Sequence, residues 1–249
     1  MTPKTLIAVL SLLIATAATA QPPGASRNGW SLGVAVISSP EPYVDADNET
    51  LFVPALSITA GRFSFRGIAA AWQLGEWGDF EAEAILRARF SGYDAEDSPF
   101  LEGMEDRRKS ADLGFELTWE RERLGLRLTP AVDVLGRSDG VEVALDAFTP
   151  IRLGPARLEP RLGAAWQSAD LVDYYYGVRP EEARPGRPAW RGESTVNATA
   201  GLFLFTPLSQ RLLLQSFLRL ERLGPEIEDS PIVADATALT AFAAVSYRF

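Results

Sequence analysis

The chain has 249 residues, 47% hydrophobic and 23% charged, which suits one large folded domain. Acidic side chains outnumber basic ones 33 to 24, for a net charge of -9, and lysine occurs only at Lys4 and Lys109, a balance unsuited to gripping nucleic-acid phosphates. Cysteine and histidine are both absent, which excludes disulfides, thiolate and Ser-His nucleophiles, and the usual zinc ligand sets.

The N-terminus carries a targeting pattern. Met1-Thr2-Pro3-Lys4-Thr5 is a short basic lead, residues 6–14 (LIAVLSLLI) are apolar, and Ala18-Thr19-Ala20 is a small-residue cleavage site. This predicts a signal peptide over residues 1–20, cut before Gln21, with residues 21–249 as the mature domain. The apolar run is much shorter than the roughly 20 residues of a spanning helix, and Pro22-Pro23-Gly24 follows it. No cysteine follows the cut, so a lipid anchor is not expected.

Beyond the leader the dominant signal is alternation with period two. In residues 112–120, Leu113, Phe115, Leu117 and Trp119 oppose Asp112, Gly114, Glu116, Thr118 and Glu120. Leu124, Leu126 and Leu128 oppose Arg123, Gly125 and Arg127, and Leu212, Leu214, Leu218 and Leu220 oppose Arg211, Gln215, Arg219 and Glu221. A helix repeats every 3.6 residues and could not separate these sets, whereas a strand does so directly. The pattern predicts strands over 29–37, 51–59, 61–67, 69–74, 80–91, 110–120, 122–134, 140–151, 156–167, 195–206, 210–221 and 238–249. Twelve strands result, or ten if 61–74 is not a hairpin. Connections 38–50, 92–109, 168–194 and 222–237 are long, and the intervening ones are short. Transmembrane barrels show this asymmetry, with short periplasmic turns and long outer loops.

A soluble β-sandwich or closed barrel would alternate too, with its apolar face inward. Three features favour an all-β, antiparallel, up-and-down transmembrane barrel. The strands approach the ~9–11 residues that a tilted membrane strand needs. The polar register holds charges of both signs, including Glu81, Glu83, Arg87, Arg89, Asp112, Glu116, Glu120, Arg123, Arg127, Glu142, Asp146, Arg157, Glu159, Arg161, Arg211, Arg219 and Glu221, which fit a lumen and not a lipid face. Aromatics sit near strand ends at Trp30, Phe80, Phe90, Trp119, Trp166 and Tyr247. The last strand places Leu239, Ala241, Ala243, Val245, Tyr247 and Phe249 on one face. Tyr247 and the terminal Phe249 resemble the sorting signal read by the outer-membrane barrel-assembly machinery. The expected location is therefore the cell outer membrane.

Chemistry has few candidates. No catalytic residue, cofactor or metal site is assigned. Glu226, Glu228 and Asp229 are close in sequence, but acidic loops are ordinarily solvated. Glu41, Asp45, Asp47 and Glu49 open like a calcium loop, yet Thr50 stands where that loop needs glycine and Leu56 where it needs glutamate. The charged register admits two readings, a water-filled pore or a lumen filled by paired side chains. Small barrels fill their interiors, which favours the second.

Two distal boxes carry a resemblance. Asp173-Tyr174-Tyr175-Tyr176-Gly177-Val178, followed by Glu182-Ala183-Arg184-Pro185-Gly186, resembles a segment of the OmpV-like, MltA-interacting protein (MipA) family. Glu228-Asp229-Ser230-Pro231-Ile232-Val233 is similar to that family's box before its closing strand, and Tyr247-Arg248-Phe249 to its ending. Trp30, Gly33, Pro40 and Tyr43, then Val53-Pro54, fit its opening. The resemblance implies an outer-membrane barrel without catalytic residues. In one branch it implies a scaffold joining a lytic murein transglycosylase to a murein synthase. A scaffold would use periplasmic turns such as 75–79 and 152–155, which are short here. Candidate interaction positions are Tyr174, Tyr175, Tyr176, Gly177, Asp229, Ser230 and Pro231. The tyrosines could stack on a glycan, form an interface belt, or pack the long loop over the barrel mouth. Asp229-Ser230-Pro231 has turn chemistry and is expected to shape the last outer loop. Expected partners are outer-membrane lipid, the assembly machinery and, through the resemblance, a murein hydrolase or synthase. The alternatives are a narrow channel for solutes or ions and an adhesin or receptor acting through loops 92–109, 168–194 and 222–237.

Overall fold

Alternation along each segment becomes pairing between segments. The computed structural model describes residues 28–46 and 49–249. The predicted signal segment 1–20, its cleavage site, and Asp47 of the acidic loop lie outside those residues. The described strands are β1 (Asn28–Ser39), β2 (Glu49–Ala60), β3 (Phe63–Arg66), β4 (Ala69–Trp77), β5 (Phe80–Arg89), β6 (Ser110–Arg121), β7 (Leu124–Asp133), β8 (Val141–Phe148), β9 (Ile151–Leu153), β10 (Ala156–Gln167), β11 (Thr195–Pro207), β12 (Leu212–Arg222) and β13 (Thr237–Arg248). All belong to one antiparallel sheet, and β13 pairs with β1 with Val245 opposite Val34, so the sheet closes.

β8 and β9 pair successively with the same strand, β10, and are one stave broken at Thr149-Pro150. Proline cannot donate to a ladder, which interrupts the predicted 140–151 strand there. Counted as staves, the described residues form a barrel of twelve. The 61–74 hairpin exists, but β3 is far shorter than the sequence pattern suggests, with only four residues.

The faces sort as the alternation requires. In β6 the side chains of Leu113, Phe115 and Leu117 point outward, the most exposed being Phe115 at 59%, while Asp112, Glu116 and Thr118 are buried. Covering such a side chain with hydrocarbon contributes about 1.5–3 kcal/mol, and a bilayer supplies the cover.

Hairpins at one end are tight. Gly61-Arg62, Gly78-Asp79, Glu122-Arg123 and Gly154-Pro155 are two-residue turns whose first residue has positive φ. Such turns match the right-handed twist of the strands they join. Both described chain ends meet at this end. Phe249 stacks on Trp30 with ring centroids 3.8 Å apart, and its N–H donates to the Trp30 carbonyl at 3.1 Å. Trp77, Phe80, Trp119 and Tyr247 join them as an aromatic girdle at the short-turn end, the periplasmic end in barrels of this type. The turns named as contact points are shorter still than their predicted bounds, because Gly75–Trp77 remain in β4 and Arg152 remains in β9. Arg123 and Arg211, predicted for the lumen, instead occupy exposed turns at this rim.

Candidate functional site in the capped lumen

At the opposite end the long loops fold over the barrel mouth and share a core of their own. Tyr43, Tyr93, Leu101, Met104, Leu171, Val172, Tyr175, Tyr176, Val178, Leu223, Ile227, Ile232 and Ala236 form one buried cluster, drawn entirely from connections between strands. Helix α1 (Ala169–Tyr176) supplies the centre. Ser168 caps it by accepting from the Leu171 N–H, and Leu171, Val172, Tyr175 and Tyr176 fall on its buried side. The sequence held this signal, since Ser168 precedes apolar residues at helical spacing, but strand alternation on either side masked it.

The two resemblance boxes meet here. Ser230 Oγ donates to the Tyr176 carbonyl at 2.6 Å. Tyr43 stacks edge-on against Tyr93, with centroids 4.8 Å apart, and its hydroxyl donates to the Tyr175 carbonyl at 3.4 Å. Tyr174 lies at the edge of the cluster, where its hydroxyl accepts from the Arg108 N–H at 2.9 Å. Gly177 ends α1 by donating to the Asp173 carbonyl at 2.9 Å, and a Cβ there would lie 2.3 Å from that oxygen, so a larger residue does not fit. Asp229 closes the one-turn helix α2 (Pro225–Glu228), donating from its N–H to the Pro225 carbonyl at 2.9 Å, and Pro231 follows Ser230 into the turn.

Arginines staple the loops. Buried Arg107 pairs with buried Glu182 at 2.8 Å, linking loop 92–109 to loop 168–194. Burial alone would raise the Glu182 carboxyl. The Arg107 hydrogen bond, the N–H groups of Glu105 and Arg179, and the Arg107 charge outweigh it and hold the group below its ordinary range. Arg184 donates to the Phe100 carbonyl at 2.8 Å, and Arg187 donates to the Glu182 carbonyl at 2.9 Å and also to that of Phe100. Burial raises the tyrosines of the cluster: Tyr93 is pushed up to about 12, and Tyr43, Tyr175 and Tyr176 lie well above the ordinary phenol value.

Below the cap the lumen is filled by paired charges on one wall. Arg89 bonds Asp112 through Nε at 2.9 Å and Nη2 at 2.6 Å, and reaches Glu142 at 3.3 Å. Arg87 joins the same two carboxylates at 3.0 and 2.6 Å. Deeper in, Arg127 pairs with Glu116 at 3.1 Å and Arg161 with Glu159 at 2.7 Å, with both guanidinium groups within 6 Å of the Phe148 ring centre. The opposite wall differs. Ile37, Phe203, Phe205 and Phe217 point inward and form an apolar cluster with Leu51 and Phe242 packed against it. Alternation does not disclose this wall, because over residues 202–205 both registers of β11 are apolar. Among the described residues no group of three acidic side chains could hold a metal ion.

Residues 32–249 match the family described as MltA-interacting protein MipA. Outer membrane protein OmpV of Vibrio cholerae serotype O1 is 30% identical over 157 residues, which cover 63% of this chain and 61% of that protein. The match therefore spans about three fifths of that relative. The MltA-interacting protein of Escherichia coli (strain K12) is 26% identical over 251 residues, covering 99% of each chain. A NanC porin structure is 7% identical and aligns with a TM-score of 0.44, covering 89% of this chain and 100% of that one. With a matched span running from β1 through the closing strand, the chain belongs to the MltA-interacting protein MipA family and is an outer-membrane β-barrel.

Proposed function

We propose that this protein is a non-enzymatic, non-conducting barrel that anchors a murein-processing enzyme at the inner face of the outer membrane. The observation that carries the reading is the double obstruction of the barrel. Loops stapled by Arg107–Glu182 and Ser230–Tyr176 close over the outer mouth, and the paired Arg87, Arg89, Asp112 and Glu142 narrow the lumen beneath from one wall. Such a barrel is suited to holding something in place and ill suited to passing solutes. Relatives named MltA-interacting proteins, one of them aligned over 99% of both chains, support a murein transglycosylase as the partner class. The periplasmic rim offers compact hairpins and exposed arginines, Arg123 and Arg211 among them, as the contact surface.

The test uses the mature barrel, folded into vesicles and tagged. Retention of purified MltA from solution, together with a flat current trace in planar bilayers, is the expected result. Stepwise conductance with no retained MltA would replace the scaffold with a channel.

A further inference from the structure

The barrel wall has an opening on one side, and its origin is the shortness of β3. β2 pairs with β1 along its whole length, but with β3 only from Ser57 to Ala60. The β3–β4 hairpin turns back at Gly67-Ile68. Its tip is tied on one side by the Gly67 N–H to the Leu56 carbonyl at 2.9 Å, and on the other by the Ala88 N–H to the Ile68 carbonyl at 3.1 Å. Beyond that point, toward the cap, residues 50–56 of β2 have no strand on their second side among the described residues. At ~3.4 Å per residue this edge is roughly 20 Å long.

The sequence is adapted to that edge. Groups on alternate residues point to the same side of a strand, so the Leu56 carbonyl, bonded to Gly67, shows that Leu56, Pro54, Phe52 and Thr50 direct their backbone groups into the gap. Pro54 has no N–H to leave unpaired there, and proline within a sheet belongs on an edge. Phe52 is 76% exposed, the most of any large apolar side chain among the described residues.

A cavity of about 290 Å³ lies beside this gap. Its lining includes Val53 and Ala55, which face inward, and also Pro54, Leu56 and Ile68 beside the gap. On β2 the lining therefore runs along the strand's unpaired edge, beside the Gly67-Ile68 tip. Phe203, Phe217 and Phe242 of the apolar wall also line it. The volume lies close to the ~300 Å³ lower bound for small-molecule sites. Its one charged member is Arg66, which donates to Ser64 at 3.3 Å. Among the described residues, no ion pair within 4.0 Å joins a carboxylate to that guanidinium, and the charges of Glu83, Glu116 and Glu81 act on it only from farther away. Glu81 and Glu83 line a separate cavity on the other side of Arg66, toward the short-turn end.

We propose that this cavity, with the unpaired edge of β2 beside it, is a lateral binding site for a single-chain carboxylic acid of the fatty-acid class, admitted from the outward half of the bilayer. The alkyl chain lies against Phe203, Phe217 and Phe242, and the carboxylate pairs with Arg66. A largely apolar cavity beside an unpaired strand edge in the lipid-facing wall favours an alkyl chain over a water-borne solute, and an arginine without an ion-pair partner within 4.0 Å favours an anionic head over a neutral one.

The test is photolabelling of the mature wild-type barrel in phosphatidylcholine vesicles with a diazirine-bearing decanoic acid, mapped by mass spectrometry. Labels are expected on inward residues such as Val53, Ala55 and Phe217, and excess unlabelled decanoate should remove them while outward labels on Phe115 and Leu162 persist. Methyl decanoate should compete about tenfold more weakly, the equivalent of one charge-assisted hydrogen bond, and Arg66→Gln should erase that difference. Labels only on outward residues, or inward labels that decanoate does not displace, overturn the site. Equal competition by the methyl ester overturns the pairing with Arg66.

Discussion

The Ser230 hydroxyl donates to the Tyr176 carbonyl at 2.6 Å, tying the last outer loop to the end of α1 across 54 residues of chain. Both groups are buried, so losing the donor leaves a buried carbonyl unpaired, at about 1–3 kcal/mol. Ser230→Ala should therefore loosen the cap and leave the barrel intact. Amide exchange should accelerate across residues 168–194 and 223–236 with the strands unchanged. Faster exchange throughout the barrel would show that the cap and wall fold as one unit.

The Arg107–Glu182 pair gives the cap an acid limit. The Glu182 pKa is depressed in the folded protein, so its contribution is present above the ordinary carboxylate value of ~4.3 and is lost as pH falls through the depressed value. Loops 92–109 and 168–194 should lose exchange protection over that acid window. Glu182→Gln, at about 1.5–3 kcal/mol for the lost charged bond, should show the same loosening at neutral pH. Unchanged protection in the variant would mean the arginine bonds to backbone carbonyls suffice.

An alkaline limit follows from the tyrosines. Tyr43, Tyr93, Tyr175 and Tyr176 have raised values because burial disfavours the phenolate, Tyr93 to about 12. Their contribution is complete below the unfolded value of ~10 and disappears as pH rises through the folded values. Ultraviolet titration should show phenolate absorbance from these four arriving late and together with loss of loop protection. A single step near ~10 accounting for all six tyrosines, with the loops still protected, would contradict the buried cluster.

Arg89 is bonded to both Asp112 and Glu142 and is only 5% exposed. Arg89→Ala leaves two buried carboxylates sharing Arg87, and removing one partner of a buried pair costs about 3–5 kcal/mol. The variant should unfold in less urea than the wild type. If the cluster is the inner obstruction, an Arg87→Ala/Arg89→Ala pair combined with deletion of residues 169–192 should conduct in planar bilayers where the wild type does not. A silent bilayer with that variant would move the obstruction deeper, to Arg127 and Arg161.

Gly33 stands where β1 closes onto β13. A Cβ at this position would lie 2.0 Å from the Val245 carbonyl oxygen, so Gly33→Ala must push the closing strands apart. The unboiled variant should lose the faster gel mobility that compact closed barrels retain. Normal mobility and normal urea resistance would mean the seam can shift to accommodate a methyl group.

The legible part of this protein is what a single strand can encode. Each period-two segment assigns one face to lipid and one to the interior, so strand positions, hairpins and an even stave count follow from local order. Gly154-Pro155 lies within the predicted turn 152–155, whereas the turn expected at Arg121 falls at Glu122-Arg123, and the distal boxes are legible in the residues themselves. What the chain could not reveal locally depends on register and on packing between distant segments. Which carboxylate meets Arg89 is decided by how β5, β6 and β8 align, and no segment contains that information. The boxes at 173–186 and 228–233 gave no sign that Ser230 would bond Tyr176, because the loops meet only after twelve staves have closed. The apolar inner wall stayed hidden where both registers of β11 are apolar. The gap beside Pro54 appears only when a four-residue β3 is laid against a β2 three times its length. Hydrophobic alternation is a property of the chain, and the tertiary structure alone decides which of its edges and loops find partners.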